Sequence, residues 1–305
     1  MKELTSLADS SIIQTGQDTA ETHLQVLTMR KVKGIIALDL DGTLLDSNKE
    51  LSSGNLAALE SAAFSGFEIV PTTGRFYNGM PEVIRQLSFV NYAITINGAE
   101  AADLGSGEVV YKAEIPWQQA VEIMEWLDGY PVIYDCYMDG WGWMTASQKE
   151  KIDEIVESPH YRKMLHELRR DVPELKAFLA EKKQDVQKVQ FFTDKPELRL
   201  RLMEELPLRF ENLAVSSSVS QNVEINQAHA NKGEALLALA SHLHVPVEAT
   251  YAFGDGLNDI SMIKDAGTGI AMENGEAEVK AVADWITVSC DEDGVAAGIK
   301  KFCLI

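Results

Sequence analysis

Apolar runs that end in small polar residues recur in both outer parts of the chain. Ile35, Ile36, Ala37 and Leu38 form the first, a continuous run suited to a strand covered on both faces. Leu51 to Ala63 then has helical periodicity, with Ser52 or Ser53 as N-cap and Gly66 as the stop. Phe67 to Pro71 reads as a second strand, Pro81 to Leu87 as a helix and Ala93 to Ile96 as a third strand. Glu100 to Asp103 and Val109 to Lys112 make a hairpin around Gly105 to Gly107. The alternation resumes at Asn231. Lys232 to His242 is a helix, Thr250 to Phe253 a strand and Gly269 to Met272 a short apolar strand. Ala277 to Ala283, Trp285 to Val288 and Gly294 to Lys301 add a helix, a strand and a last helix. Strands alternating with helices predict right-handed crossovers and a parallel sheet.

The middle has another rhythm. Trp117 to Leu127 is helical, and Tyr130 to Tyr137 with Trp141 to Thr145 reads as a hairpin across Met138-Asp139-Gly140. Gln148 to Leu179 is charged and mostly helical, with a break near Pro173. Gln187 to Thr193, Leu213 to Ser218 and Asn222 to Ile225 are strands, and Pro196 to Leu206 is a helix with proline in its first turn. The expected fold is therefore α/β. A Rossmann-like doubly wound parallel core spans residues 31–113 and 227–305, and an inserted α+β cap domain spans 114–226. Residues 1–30 are expected to be an extension outside the core, with Met29 as a possible natural start or the segment as a short docked helix.

Charge narrows the partners. A formal charge of −20 argues against a nucleic-acid surface or an anionic membrane, but leaves room for a small phosphorylated substrate in a locally cationic pocket. Cys136, Cys290 and Cys303 have no metal-ligand spacing and fit a reducing compartment. No run reaches membrane-spanning length, and residues 1–28 lack a secretion signal, so a cytoplasmic enzyme is expected.

Two strand ends carry candidate chemistry. Asp39 and Asp41 follow the first strand, and residues two apart in extended backbone point to one side. Two close carboxylates call for a cation or a shared proton; the alternative is an ordinary Asp-rich turn. Gly254-Asp255-Gly256-Leu257-Asn258-Asp259 follows another apolar strand, and Asp255 and Asp259 stand four apart as a helix begins. Four carboxylates at one edge, with no His or Cys, indicate Mg²⁺. Thr73 offers a hydroxyl from a glycine-containing loop. Lys232 opens a helix whose N-terminus favours an anion, although a solvated lysine is the plainer reading. Arg75 pairs either with phosphate or with a carboxylate.

ALDLDGTLL, TTGR, NKGEALLAL and GDGLNDISMI, in this order, resemble the four motifs of the haloacid dehalogenase superfamily. The insert after Asn97-Gly98-Ala99 resembles the Cof-type subfamily with its large α/β cap. Thr72 stands where alanine is common. The resemblance implies a catalytic pair, with Asp39 the nucleophile that becomes an aspartyl-phosphate and Asp41 the acid and then the base. It implies Mg²⁺ held by Asp39, Asp255 and the Asp41 backbone carbonyl. Phosphate contacts come from Thr73, Gly74, Lys232 and Asn258, with Asp259 in support. The implied function is a phosphatase of small phosphorylated metabolites, working as a monomer or weak homodimer. Alternatives are a hexose phosphomutase, a non-catalytic phosphometabolite sensor and an interaction role for the acidic surface. The core motifs do not name the substrate: sugar phosphates, a flavin nucleotide, pyridoxal phosphate and a ribityl-pyrimidine phosphate stay open. The cap hairpin residues Tyr134, Tyr137, Trp141, Trp143 and Met144 are either cap core or leaving-group contacts.

Overall fold

The computed structural model describes residues 32–303, so the expected extension and the start at Met29 lie outside the described residues. The chain enters through β1 (Gly34–Leu38), α1 (Ser53–Phe64), β2 (Phe67–Pro71), β3 (Tyr92–Thr95), β4 (Glu100–Asp103) and β5 (Val109–Lys112). It continues through α2 (Trp117–Leu127), β6 (Ile133–Met138), β7 (Trp141–Thr145), α3 (Pro159–Leu168), β8 (Arg169–Val172), α4 (Leu175–Lys182), β9 (Lys188–Phe192), α5 (Pro196–Arg209), β10 (Leu213–Ser216) and β11 (Asn222–Gln227). It closes with α6 (Lys232–His242), β12 (Thr250–Gly254), α7 (Ile260–Asp265), β13 (Thr268–Ala271), α8 (Ala277–Val282), β14 (Trp285–Ile286) and α9 (Gly294–Phe302).

Five strands form a parallel sheet in the order β14-β13-β12-β1-β2. All of β1 is buried, and its alternation divides the core. Ile36 and Leu38 pack with Leu59 and Ala62 of α1 and with Val295 and Ile299 of α9. Ile35 and Ala37 pack with Leu236 and Leu239 of α6, Met262 and Ile263 of α7 and Val279 of α8. Both faces of the sheet are thus covered, which is why the run is apolar throughout. The side chain of Ser52 accepts from the Asn55 amide and caps α1. β3 joins the end of β2 through a parallel bridge between Thr72 and Ile94, then turns into the antiparallel ribbon β3-β4-β5.

Between β5 and α6 lies a second sheet, in the order β10-β11-β9-β6-β7-β8, antiparallel except for the β7–β8 pair. Asp139 and Gly140 close the β6–β7 hairpin with φ of 54° and 71°, the left-handed pair that a two-residue turn needs. One face is apolar: Cys136, Val189, Phe191, Val223 and Ile225 pack with Ile123 of α2, Leu175 and Leu179 of α4 and Leu202 and Leu206 of α5. The other face carries polar residues in register, with Asp135 opposite Gln190, Tyr137 opposite Lys188, and Gln190 opposite Glu224.

Two sequence expectations change here. The charged stretch expected to be helical contains β8, whose Arg169 and Val172 are buried while Arg170 and Asp171 are exposed. Its residue types do not advertise a strand; parallel pairing with β7 makes it one. The strand expected to end at Ile225 runs on to Gln227, because Asn226 and Gln227 still pair with Ala214 and Leu213. Phe76 on the core side and Tyr137 on the cap side meet edge-to-face at 5.0 Å, and Ala113 and Ala230 pack in the same cluster.

Candidate active site

Asp39 follows β1 directly and is fixed by its amide, which donates to the Phe253 carbonyl at 3.0 Å. The chain then turns sharply. Gly42 has φ +95°, and a Cβ there would stand 2.5 Å from Asp255 Oδ2, so both the backbone and the space require glycine. The Thr43 hydroxyl donates to Asp255 Oδ1 at 2.7 Å, tying the first loop to the one after β12. In that second loop, Asp259 Oδ2 accepts from the amides of Asp255 and Gly256, both at 2.9 Å.

Lys232 sits at the first position of α6 with its side chain wholly buried. Its ammonium donates to Asp39 Oδ1 and Asp259 Oδ1, both at 2.6 Å. The reading of Lys232 as a solvated lysine is therefore overturned: a lysine is buried when carboxylates pair with it. Asp39, Asp255 and Asp259 bring one oxygen each within 4.8 Å of one another. One cation thus faces three carboxylates. Burial, with the charges of Asp259 and Asp255, pushes Asp39 up to about 7 despite Lys232. Burial pushes Asp255 up to about 6. The cluster lacks positive charge and offers only oxygen donors, a fit for a hard divalent cation.

All four expected carboxylates line one cleft, but the Asp41 carboxylate is not among the three whose oxygens lie within 4.8 Å of one another. Extended backbone stops at Leu38, and the turn at Gly42 carries Asp41 toward Arg75. Arg75 Nε and Nη2 donate to the two Asp41 oxygens at 2.8 and 2.9 Å, and Lys49 lies 3.2 Å away. Burial opposes ionisation of Asp41, but these cations outweigh it and hold the carboxyl below its ordinary value. Of the two readings of Arg75, the carboxylate clamp is the one present in this structure.

Thr73 is buried at the edge of the same cleft, and its hydroxyl accepts from the Arg75 amide at 3.2 Å, which leaves its own proton free to donate. Gly74 lies beside it, where a Cβ would meet Asn97 Oδ1 at 2.8 Å. Asn258 donates to Asn97 Oδ1 at 3.0 Å, and Asn97 donates to Glu224 of the second sheet at 3.1 Å. The cleft between the two sheets holds about 1080 Å³. Of the five hairpin candidates, only Tyr137 lines it. Tyr134 and Met144 are buried in cap clusters, Trp143 stacks on Phe178, and Trp141 lies under Arg170. Sequence reading missed Thr43, Lys49, Arg169, Lys188 and Glu224. A signal for Lys188 existed: in Lys188-Val189-Gln190-Phe191 polar and apolar residues alternate, so one face of that strand is polar.

A parallel α/β sheet that presents a lysine-paired carboxylate cluster at its carboxyl edge, beneath a second sheet, defines a capped hydrolase core. The chain belongs to the haloacid dehalogenase-like hydrolase family, whose model matches residues 36–299. Phosphatase YwpJ of Bacillus subtilis (strain 168) is 32% identical over 287 residues, covering 87% of this chain and 98% of that protein. The same organism's 5-amino-6-(5-phospho-D-ribitylamino)uracil phosphatase YcsE is 30% identical over 270 residues, covering 88% of this chain and 96% of that protein. A solved haloacid dehalogenase-like hydrolase from B. subtilis superposes with a TM-score of 0.75 at 29% identity, covering 88% of this chain and 99% of that one. With relatives named as phosphatases in a hydrolase family, the chain is a phosphatase. No helix among the described residues is long and apolar enough to cross a membrane.

The shared cation gives a pH-dependent expectation. Between pH 3.8 and about 7 the Asp39 carboxyl holds more protons folded than unfolded, so its contribution to stability falls as pH rises through that window. Asp39→Asn removes the loss. In EDTA, the variant's stability gain over wild type in urea unfolding should be larger near pH 8 than near pH 5. An equal gain at both would contradict the charge imbalance.

Proposed function

We propose that this protein is a Mg²⁺-dependent phosphatase that hydrolyses phosphate monoesters of small metabolites through an aspartyl-phosphate on Asp39. One observation carries the reading: Asp39, held by buried Lys232, opens into the cleft beside Asp41 and Thr73. Asp39 attacks phosphorus as the bond to the leaving oxygen breaks, and Asp41 supplies that oxygen's proton. Water then attacks the aspartyl-phosphate while Asp41 takes its proton. Lys232, Thr73, Gly74 and Asn258 hold the phosphoryl oxygens. Asp39, Asp255 and the Asp41 carbonyl would hold Mg²⁺, with Asp259 in support; the ion would neutralise the cluster and polarise the phosphoryl group. The Arg75 and Lys49 contacts favour the carboxylate form of Asp41, which suits it to accept the proton of water. Donation to the leaving group requires those contacts to loosen. In this reading the second sheet belongs to a cap of residues 114–226, and the enzyme works in the cytoplasm as a monomer or weak homodimer.

The test is phosphate release from a metabolite panel without a sugar bisphosphate activator. Release that depends on such an activator would favour a phosphomutase. EDTA should stop turnover and Mg²⁺ restore it, with Ca²⁺ a poor substitute, because Ca²⁺ takes longer bonds and more ligands. Full activity in metal-free buffer would exclude the metal role. Asp41→Asn should slow hydrolysis of alkyl phosphates by about 10²–10⁴-fold. The loss on para-nitrophenyl phosphate should be smaller, because its phenolate leaves without a proton. Equal losses on both would count against Asp41 as the acid.

A further inference from the structure

The loop after β3 takes a backbone path that its residue types disfavour. Ile96 and Asn97 have φ of 53° and 59°, and a β-branched residue such as Ile96 rarely adopts such a value. Two backbone bonds hold the loop there: the Ile96 amide donates to the Arg75 carbonyl and the Asn97 amide to the Thr73 carbonyl, both at 3.0 Å. Gly98 follows, so close to the start of α6 that a Cβ would stand 2.2 Å from the Asn231 carbonyl oxygen. The loop thus touches the segments that carry Thr73, Lys232 and Asn258, three of the groups proposed to hold phosphate, and Asn97 itself lines the cleft.

The Asn97 side chain joins the second sheet to one of these groups. Its Nδ2 donates to Glu224 Oε2 of β11 at 3.1 Å, and its Oδ1 accepts from Asn258 Nδ2 at 3.0 Å. Burial opposes the charge of Glu224, but Lys188 at 3.2 Å and the Ser218 hydroxyl at 2.7 Å outweigh it and hold the carboxyl below its ordinary value. A carboxylate only accepts, so the Asn97 amide must turn its nitrogen to Glu224 and its oxygen to Asn258. That oxygen in turn draws the Asn258 nitrogen. Asn258 gives one amide proton to Asn97, and the second has no partner among the described residues. We propose that Asn97 is a positioning residue, through which Glu224 of the second sheet turns the Asn258 amide so that its free proton faces a phosphoryl oxygen. The proposal rests on the phosphatase reading, which makes Asn258 a phosphate contact. A donor on the core then depends on a carboxylate of the second sheet that need not touch the phosphate. Without Glu224 the Asn97 amide has no preferred face, and a flipped Asn258 would set its oxygen against the anion.

Binding of inorganic phosphate, titrated by calorimetry with Mg²⁺ present, tests the link apart from turnover. Asn97→Gly is the informative variant, because glycine accepts a φ of 59° and only the amide is removed. It should weaken phosphate binding about three- to tenfold, as should Asn258→Ala. The two together should bind within about twofold of Asn258→Ala alone, because both remove the same contact. Lys188→Met with Glu224→Leu removes the ion pair of the second sheet without leaving a buried charge. This pair of changes should weaken phosphate binding about threefold in the wild type and leave it unchanged in Asn97→Gly. Glu224→Gln, which keeps the shape but offers Asn97 a donor as readily as an acceptor, repeats that arm with the least disturbance of folding and should show the same dependence on Asn97. Additive losses in these combinations, wild-type affinity in Asn97→Gly or Asn258→Ala, or a wild type that binds no phosphate would overturn the proposal. If no ester releases phosphate, the phosphatase reading fails by itself, and the phosphate titrations still decide the link.

Discussion

In the proposed mechanism Asp39→Asn should abolish phosphate release, with a loss on the order of 10⁴-fold or more in kcat, while the fold stays intact. The substitution is nearly isosteric and leaves the Asp39 amide bonded to the Phe253 carbonyl. Its cost is chemical, since a carboxamide oxygen does not attack phosphorus and one of three clustered carboxylates is lost. The charge imbalance makes the accompanying stability change a gain, because Lys232 then serves one carboxylate fewer. Steady-state phosphate release and urea unfolding on the same sample would read both effects. Near-native turnover in a folded variant would sink the covalent route.

Lys232→Met has the opposite balance. Methionine keeps the length and most of the volume of the lysine stem but leaves Asp39 and Asp259 buried without their shared cation. Removing one partner of a buried ion pair costs about 3–5 kcal/mol, so the metal-free variant should unfold at clearly lower denaturant. Activity should fall with it, because in the proposed mechanism the same ammonium holds a phosphoryl oxygen. A companion Asp259→Asn should recover part of the lost stability, and the double-mutant cycle separates the pair from general damage. Unchanged stability of Lys232→Met in EDTA would show that Lys232 does not compensate the cluster.

Local pattern determined much of this protein. The apolar run at Ile35 to Leu38, the bounds of α6 at Lys232 and His242, and the Asp139-Gly140 turn are properties of near neighbours along the chain. Periodicity and turn chemistry act over a few residues, so the chain states them directly. The pairing of Asp39 with Asp255 and Asp259 was also legible, because each follows the end of an apolar strand and parallel sheets gather such ends at one edge. The fates of charged side chains were not legible in this way. Lys232 is buried against a carboxylate 193 positions away, and Arg75 clamps one 34 positions away. Arg169 lies in a stretch that reads as charged and mostly helical, yet β7 draws it into a strand and Asp135 neutralises it. Whether a charge meets water or a partner depends on which distant segments share the low-dielectric interior, and only the folded arrangement of β1, α6, β8 and their loops decides it.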